Sequence, residues 1–376
     1  MNWPLAKLGD LCEIVSGSTP DTSKKENWDG DVLWATPSDL SKNSSKIISN
    51  TSCKITSIGL SNCSARVLPK NSVLFSSRAP IGLVAINSQS MATNQGFKSF
   101  VPNASLLDSS YLYYWLRTNK SFLNGLGVGA TFKEVSKSII SKVQIPLPPL
   151  AEQQRIARIL DTADRLMQLR ESAIAKLDQL AQSVFVEMFE SCTNYESIRS
   201  VVLKKKTSVP KESQHVWSLS LDQIESDTGN LQNKEIVEFK KLGTSTYYFE
   251  PPAILYSKLR PYLNKVVMPT DCGYATTELV PLYCNEQKVL PIYLLAVLRS
   301  KKFVEFANTN SGGAKMPRVI MDKFWDYQFA LPSIDEQQKY ANFFISIVNQ
   351  KRHCLHLYKL NQALFTSLQH QSFAVN

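Results

Sequence analysis

Lysine and arginine side chains, concentrated in two stretches of the 376-residue sequence, are the residues best suited to bind a polyanion. A cationic side chain pairs with phosphate, and arginine can also donate hydrogen bonds to the edge of guanine. The formal net charge is +10, with 42 Lys and Arg against 32 Asp and Glu. Segments 150–190 and 333–376 carry −2 and +2, so the residues outside them carry the whole excess. This distribution favours an anionic partner, although an ordinary basic soluble protein has a similar charge.

The candidate contacts to phosphate or to base edges fall into two sets. Any single member, taken alone, is most often a solvated surface charge. The loops Gly129–Lys133 and Gly313–Pro317 are the stronger candidates, because each contains glycine and a lysine and precedes a repeated helix. The first set is Lys24, Lys25, Arg66, Lys70, Arg78, Thr131, Lys133 and Lys137. The second set is Lys204, Lys205, Lys206, Lys258, Arg260, Tyr262, Lys265, Lys315 and Arg318.

Motifs for catalysis and for metal binding are absent from the sequence. There is no P-loop, no NPPY-type or DPPF-type tetrapeptide of amino-methyltransferases, no HExxH, no GxSxG and no zinc-binding cysteine pattern. Residues 125–130 match GxGxxG/A, but they follow a helical segment instead of a strand, which predicts a flexible loop. His353, His356 and His370 lie on or near the last helix and are expected on its surface. We therefore predict no catalytic residue and no metal ligand.

The cysteines and the hydropathy indicate a cytoplasmic protein. The seven cysteines are scattered and include no CxxC, which is typical of reduced thiols. The first residues, MNWPLAKLGDL, lack the basic and apolar regions of a signal peptide. No apolar run approaches the ~18 residues that a membrane span needs, so no membrane partner is expected.

Two segments of the chain, 184 residues apart, are copies of one element. Residues 129–157 and 313–341 are identical at ten of 29 aligned positions, where chance would give roughly one or two. Upstream, helices are expected at Ser110–Phe122 and at the corresponding Ile292–Phe303. Ala92-Thr93 likewise matches Ala275-Thr276. The chain is therefore two copies of one module, each followed by the same kind of helix.

Two long helices are predicted to join the modules. Apolar residues recur every three or four positions along Leu150–Glu190 and along Ser333–Phe373, and Ser333-x-x-Glu336 matches a capping box. Neither apolar stripe is covered by its own helix, so the two helices are expected to pack antiparallel on each other. The predicted fold class is α+β. The predicted boundaries are 1–146 for the first domain, 147–191 for the first helix, 192–330 for the second domain and 331–376 for the second helix.

These motifs resemble those of a known family. Residues 146–180, PLPPLAEQQRIARILDTADRLMQLRESAIAKLDQL, resemble the central conserved region of type I restriction–modification specificity subunits, and ALPSIDEQQKYANFF resembles the distal one. Arg78–Gly82 and Ala92–Phe97 look like motifs of the family's target recognition domains. The second half departs from them, with Leu259-Arg260-Pro261 and Thr276-Thr-Glu278 at the matching positions.

The resemblance implies a non-catalytic specificity subunit with two target recognition domains. Each domain would read one half of a bipartite double-stranded DNA site, and the paired helices would set the spacer between the halves. The helices would also dock two modification subunits, which bind S-adenosylmethionine and methylate adenine. Two restriction subunits, which use ATP and Mg²⁺, can join such complexes. The chain itself would bind none of these cofactors.

Two other functions are compatible with the residues alone. One is a scaffold that carries two domains on a coiled-coil rod and binds only protein. The basic balance of the modules argues against it. The other is a fused enzyme that methylates DNA by itself, and the absence of methyltransferase motifs argues against that.

Overall fold

The computed structural model describes residues 3–78, 80–129, 133–205, 214–243 and 245–373. The chain divides into two compact units, Met1–Leu169 with Tyr358–Asn376 and Arg170–Leu357. Each unit combines short strands and helices with parts of two 40-residue helices, which confirms the predicted α+β class with two domains joined by long helices. None of the helices within the described ranges has the length and hydropathy of a membrane span.

Unit 1 contains a five-stranded sheet in the order β2-β9-β6-β7-β4, a three-stranded sheet in the order β5-β3-β8, and the isolated pair β1-β10. Its strands are β1 Leu5–Lys7, β2 Cys12–Ser16, β3 Trp28–Ala35, β4 Ile47–Ile48, β5 Cys53–Ile55, β6 Val73–Phe75, β7 Val84–Asn87, β8 Ala92–Thr93, β9 Lys98–Pro102 and β10 Gln144–Pro146. The helices that begin in this unit are α1 Leu8–Leu11, α2 Pro37–Lys42, α3 Ser57–Ser61, α4 Ser109–Thr118, α5 Lys120–Gly125, α6 Lys137–Ile140 and α7 Leu150–Phe189.

Unit 2 contains two four-stranded sheets, in the orders β12-β19-β16-β17 and β14-β13-β18-β15, and the pairs β11-β22 and β20-β21. Its strands are β11 Tyr195–Ser197, β12 Val202–Leu203, β13 His215–Leu219, β14 Glu235–Glu238, β15 Thr246–Phe249, β16 Ile254–Ser257, β17 Val266–Val267, β18 Gly273–Thr276, β19 Leu279–Cys284, β20 Ser311–Gly312, β21 Arg318–Val319 and β22 Gln328–Ala330. The helices that begin in this unit are α8 Ile198–Val201, α9 Pro291–Arg299, α10 Lys301–Thr309, α11 Met321–Trp325 and α12 Ile334–Phe373.

The strand that leads into each long helix pairs with the strand that begins the same module. In unit 1, β10 pairs antiparallel with β1, and Pro146 lies opposite Leu5. In unit 2, β22 pairs antiparallel with β11, and Ala330 lies opposite Tyr195. The predicted repeat is therefore present as repeated strand pairing. In each module the first strand pairs with the last one, directly before the long helix begins.

The helix predicted at Ser110–Phe122 is broken in the structure. It becomes α4 and α5, which meet at Asn119, whose side-chain Nδ2 donates to the Trp115 carbonyl at 2.9 Å. The helix predicted at Ile292–Phe303 is broken at Ser300, whose hydroxyl caps the next helix by accepting from the Phe303 N–H. Asn and Ser compete for backbone hydrogen bonds and so favour caps over helix interiors, a signal that the apolar periodicity hides.

The long helices pack antiparallel within each unit, as predicted. In unit 1 the end of α12 joins the start of α7 in one core, which contains Phe365 and Phe373 of α12 and Ile156 and Leu160 of α7. In unit 2 the end of α7 joins the start of α12, where the Phe185 and Tyr340 rings lie 5.4 Å apart. The predicted capping box of α12 is also present. The Glu336 carboxylate accepts from the Ser333 backbone N–H at 2.9 Å.

Corresponding arginines in the two modules have different surroundings. Arg117 pairs with Asp164 of α7 at 3.2 Å, and its guanidinium lies 5.7 Å from the centre of the Phe365 ring. Arg299 donates instead to the Val266 carbonyl at 2.6 Å, and burial lowers the pKa of Arg299 to about 10. In the repeat, which has an offset of 184 residues, Ala181 of α7 corresponds to Phe365 of α12. Ala181 helps to line a cavity of about 1160 Å³ in unit 2. The modules share a fold but not their side-chain packing.

The seven cysteines are free and differ strongly in accessibility. Burial raises the pKa of Cys12 and of Cys284 to about 12, so neither forms much thiolate near neutral pH. We expect a maleimide at pH 7.5 to label the exposed Cys53 and Cys272 quickly and to label Cys12 and Cys284 only after denaturation. Peptide mass spectrometry after timed quenching measures this difference. Equal labelling rates at all four sites would contradict the packing of both cores.

Candidate nucleic-acid interface

Three separate segments of unit 1 meet around Ser77 and Arg78. The Ser77 N–H donates to the Gly96 carbonyl at 2.8 Å, which joins the end of β6 to the Ala92–Phe97 motif. The Ser77 carbonyl accepts from the Val135 N–H at 2.9 Å, and Arg78 forms a β-bridge with Glu134. Main-chain hydrogen bonds therefore hold the two family motifs against the residues that precede α6. We call the segments joined in this way, around Ser77, Gly96 and Val135, the frame of unit 1.

A fourth segment, Gly17–Thr19, completes this frame in unit 1. The Gly17 N–H donates to the Phe97 carbonyl at 3.1 Å and the Ser18 N–H donates to the Thr93 carbonyl at 3.0 Å. A Cβ atom on Gly17 would lie 1.8 Å from the Asn94 carbonyl oxygen, so only glycine allows this close approach. The Thr19 hydroxyl also contacts the Gln95 side chain.

Unit 2 builds the same frame from different residues. The Lys258 N–H donates to the Glu278 carbonyl at 3.0 Å, and the Lys258 carbonyl accepts from the Val319 N–H at 2.9 Å. Leu259 forms a β-bridge with Arg318. Lys258 and Val319 therefore take the places of Ser77 and Val135. This equivalence agrees with the alignment of Leu259-Arg260-Pro261 with the motif that begins at Arg78.

An ion pair holds one residue of each frame, and its partner is Lys98 of β9 in unit 1 and Glu278 of the turn between β18 and β19 in unit 2. In unit 1, Lys98 Nζ lies 2.9 Å from Glu134 Oε1. In unit 2, Arg318 donates to the Glu278 carboxylate through Nε at 3.2 Å and through Nη2 at 3.0 Å. Sequence reasoning singled out Arg318 but missed Lys98, Glu134 and Glu278. The one signal that could have found a pair is the repeat itself, which aligns Glu134 with Arg318.

Six of the candidate residues lie in or beside the frames. Lys133 is exposed next to Glu134, and Lys315 is exposed in the loop that precedes Arg318. Arg260 adopts a left-handed backbone with φ of 51°, and its N–H donates to the Pro317 carbonyl at 2.7 Å. The structure thus brings together, from two distant parts of each module, the residues Arg78, Lys133, Lys258, Arg260, Lys315 and Arg318.

Three other candidates already bind groups within their own unit. Arg66 pairs with Glu13. Lys205 pairs with Glu250 at 2.6 Å and lies over the Tyr283 ring. Lys265 donates to the Leu221 carbonyl at 2.6 Å. A phosphate would have to replace these contacts.

The remaining candidates lie outside the hydrogen bonds that build the frames. Thr131 and Lys206 fall outside the residues that the structure describes, so they stay predictions. The others are exposed, namely Lys24, Lys25, Lys70, Lys137, Lys204 and Tyr262.

Known proteins of one family resemble this chain over most of its length. A sequence profile for the type I restriction modification DNA specificity domain matches residues 1–179. The type I restriction enzyme MjaIX specificity subunit of Methanocaldococcus jannaschii is 34% identical, with 98% of this chain and 92% of that protein aligned. The EcoDI specificity subunit of Escherichia coli is 21% identical, with 90% of this chain and 80% of that protein aligned.

Solved structures share the fold at low sequence identity. The S subunit of a type I restriction–modification system from M. genitalium superposes with a TM-score of 0.64 at 13% identity, and the match covers 100% of this chain and 97% of that one. A second structure, from work on assembly and conformational transition of the type I R-M system, gives a TM-score of 0.58 at 16% identity. That match covers 99% of this chain and 97% of the other.

Proposed function

Because this chain belongs to the family of type I restriction–modification specificity subunits, we propose that each of its domains reads one half of a bipartite DNA site. The observation that carries the proposal is the pair of matched frames. The same main-chain hydrogen bonds hold Ser77 and Val135 in unit 1 and Lys258 and Val319 in unit 2. A shared backbone with different side chains suits two domains that recognise different base sequences.

We further propose that α7 and α12 set the spacer and dock two modification subunits. Both helices are 40 residues long, and each contributes to both units. Each helix also leaves large apolar side chains exposed, which a partner surface could cover. These include Leu166, Leu169, Leu180, Val186, Leu360 and Leu364.

The chemistry of methylation would belong to the partners. The modification subunits would bind S-adenosylmethionine and transfer its methyl group to adenine. Restriction subunits with ATP and Mg²⁺ would add cleavage where they are present. This chain would supply sequence recognition and no active site, in keeping with the missing catalytic motifs.

The test is to co-express the chain with modification subunits and to sequence the methylated adenines in the host DNA. We expect a motif of two short specific parts separated by an unread spacer of constant length. Methylation at an uninterrupted site, or none with a complex that is fully assembled, would overturn the proposal. The control omits this chain and should show no such motif.

A binding titration over salt separates DNA recognition from a purely protein-binding scaffold. Each phosphate that the protein neutralises lowers the slope of log K against log salt by roughly 0.9. We expect the complex to show a steep slope of several units on duplex DNA. A flat salt dependence would favour the scaffold.

A further inference from the structure

The two frames carry opposite charges at one equivalent position. Glu134 and Arg318 each precede the valine, Val135 or Val319, whose N–H donates to the module's frame at 2.9 Å. Each also forms the β-bridge to the equivalent motif residue, Arg78 or Leu259. The backbone is therefore the same in both modules, while the side chain changes from an anion to a cation.

Each of these side chains is held by a more buried partner of opposite charge. The Lys98 side chain is 11% exposed and that of Glu134 is 37% exposed. The Glu278 side chain is 24% exposed and that of Arg318 is 48% exposed. In both modules the partner, Lys98 or Glu278, is the more covered member of the pair, and Glu134 or Arg318 is the more accessible one. The ion pair orients the accessible group.

The orientation leaves each accessible group able to bind a second partner. Arg318 meets Glu278 through Nε and Nη2, so its Nη1 amino group lies outside the ion pair. Glu134 meets Lys98 through Oε1, so its Oε2 is not used by that contact. A guanidinium edge matches the O6 and N7 acceptors of guanine, and a carboxylate oxygen accepts from the N4 amino group of cytosine.

We propose that Glu134 and Arg318 are specificity-determining residues at equivalent positions of the two half-sites. Arg318 donates to a guanine in one half, and Glu134 accepts from a cytosine amino group in the other. Lys98 and Glu278 are positioning residues, because they reduce the conformational freedom that the reading side chain loses on binding. The inference rests on the proposed DNA-reading function and adds the residues and the base types.

The experiment uses the complete chain co-expressed with modification subunits and a DNA library that is randomised in both half-sites. Arg318→Lys keeps the charge but loses the bidentate hydrogen-bonding geometry of the guanidinium. We expect it to lower the preference for guanine over other bases at one position roughly 5- to 100-fold. The other half-site should stay unchanged. Lys315→Ala is the matched control on the same loop and should weaken binding evenly across sequences.

A charge exchange tests the equivalence itself. The double variant Lys98→Glu with Glu134→Arg reverses the ion pair of unit 1, so that the more accessible side chain becomes a cation, as it is in unit 2. We expect the base preferred at that position to change from cytosine to guanine, with the second half-site intact. Glu278→Gln should weaken the guanine preference while leaving binding to other sequences unaltered, which a merely structural ion pair would not do.

Two results overturn the inference in distinguishable ways. In the first, the unaltered complex methylates a bipartite motif, and Arg318→Lys and the double variant Lys98→Glu with Glu134→Arg both keep its base preferences. The ion pairs then have only a structural role, and the inference alone fails. If the unaltered complex recognises no bipartite motif, the proposed function fails as well. Thermal unfolding of each variant identifies a misfolded protein, and if Arg318→Lys misfolds, Glu278→Gln, which keeps Arg318, provides the test of the guanine preference.

Discussion

Replacing Gln153 with leucine is expected to lower the free energy of unfolding by about 2–4 kcal/mol, because one buried and two partly buried backbone groups lose their hydrogen-bond partner. The Gln153 side chain is completely buried. Its Oε1 accepts from the Asp108 N–H, and its Nε2 donates to the Leu106 and Pro148 carbonyls, each at 2.9 Å. Leucine has a similar volume, so the loss comes from unsatisfied polar groups and not from a cavity.

The neighbouring Gln154 provides the matched control. It belongs to the same Glu-Gln-Gln motif but is exposed, so Gln154→Leu should change stability by less than about 0.5 kcal/mol. Urea denaturation of both variants, followed by tryptophan fluorescence, measures the difference. Similar stabilities for the two variants would contradict the role assigned to the buried glutamine.

Shortening both long helices by four residues is expected to shorten the recognised spacer by about two base pairs. Each residue contributes 1.5 Å of helix rise and each base pair about 3.4 Å, so four residues correspond to about 6 Å. Ser172–Ala175 of α7 and Cys354–Leu357 of α12 are suitable segments. The ion pair between Lys351 and Asp178, at 2.7 Å, fixes the register of the two antiparallel helices and so places these segments opposite each other in unit 2. The prediction depends on the proposed role of the helices.

Sequencing of methylated DNA measures this change. The two half-site sequences should remain as they were while the spacer between them shortens. Deleting Ser172–Ala175 alone is the control, because it shortens one helix only, disrupts the antiparallel packing and should reduce methylation without creating a new spacer. A methylated motif with the original spacer, in the variant with both deletions, would show that the helices do not determine it.

The repeat made the joints between domain and helix predictable. Residues 129–157 recur at 313–341, and the structure gives both copies the same strand pairing and the same start of a long helix. The lengths of the helices followed from their apolar spacing, and their antiparallel packing followed from that spacing together with the repeat. The breaks at Asn119 and Ser300 could not be found this way, since they depend on single polar side chains within apolar helices.

The arrangement of the charged residues could not be predicted for a different reason. Lys98 lies 36 residues from Glu134, and Glu278 lies 40 residues from Arg318, so only the folding of each module brings them together. The sequence identified lysines and arginines without showing which of them already form hydrogen bonds or ion pairs within the protein. Lys265, whose ammonium donates to the Leu221 carbonyl, is an example.

The buried glutamines hold their domains entirely through main-chain atoms. Gln337 repeats the arrangement of Gln153, accepting from the Leu290 N–H at 2.8 Å and donating to the Lys288 carbonyl at 3.0 Å. Because peptide groups are common to all sequences, the side chains around this joint can mutate without loosening it. A domain inherited from another chain could take the same place if its loop followed the same path. A single recombination event could thus exchange a whole recognition domain and leave the helices unchanged.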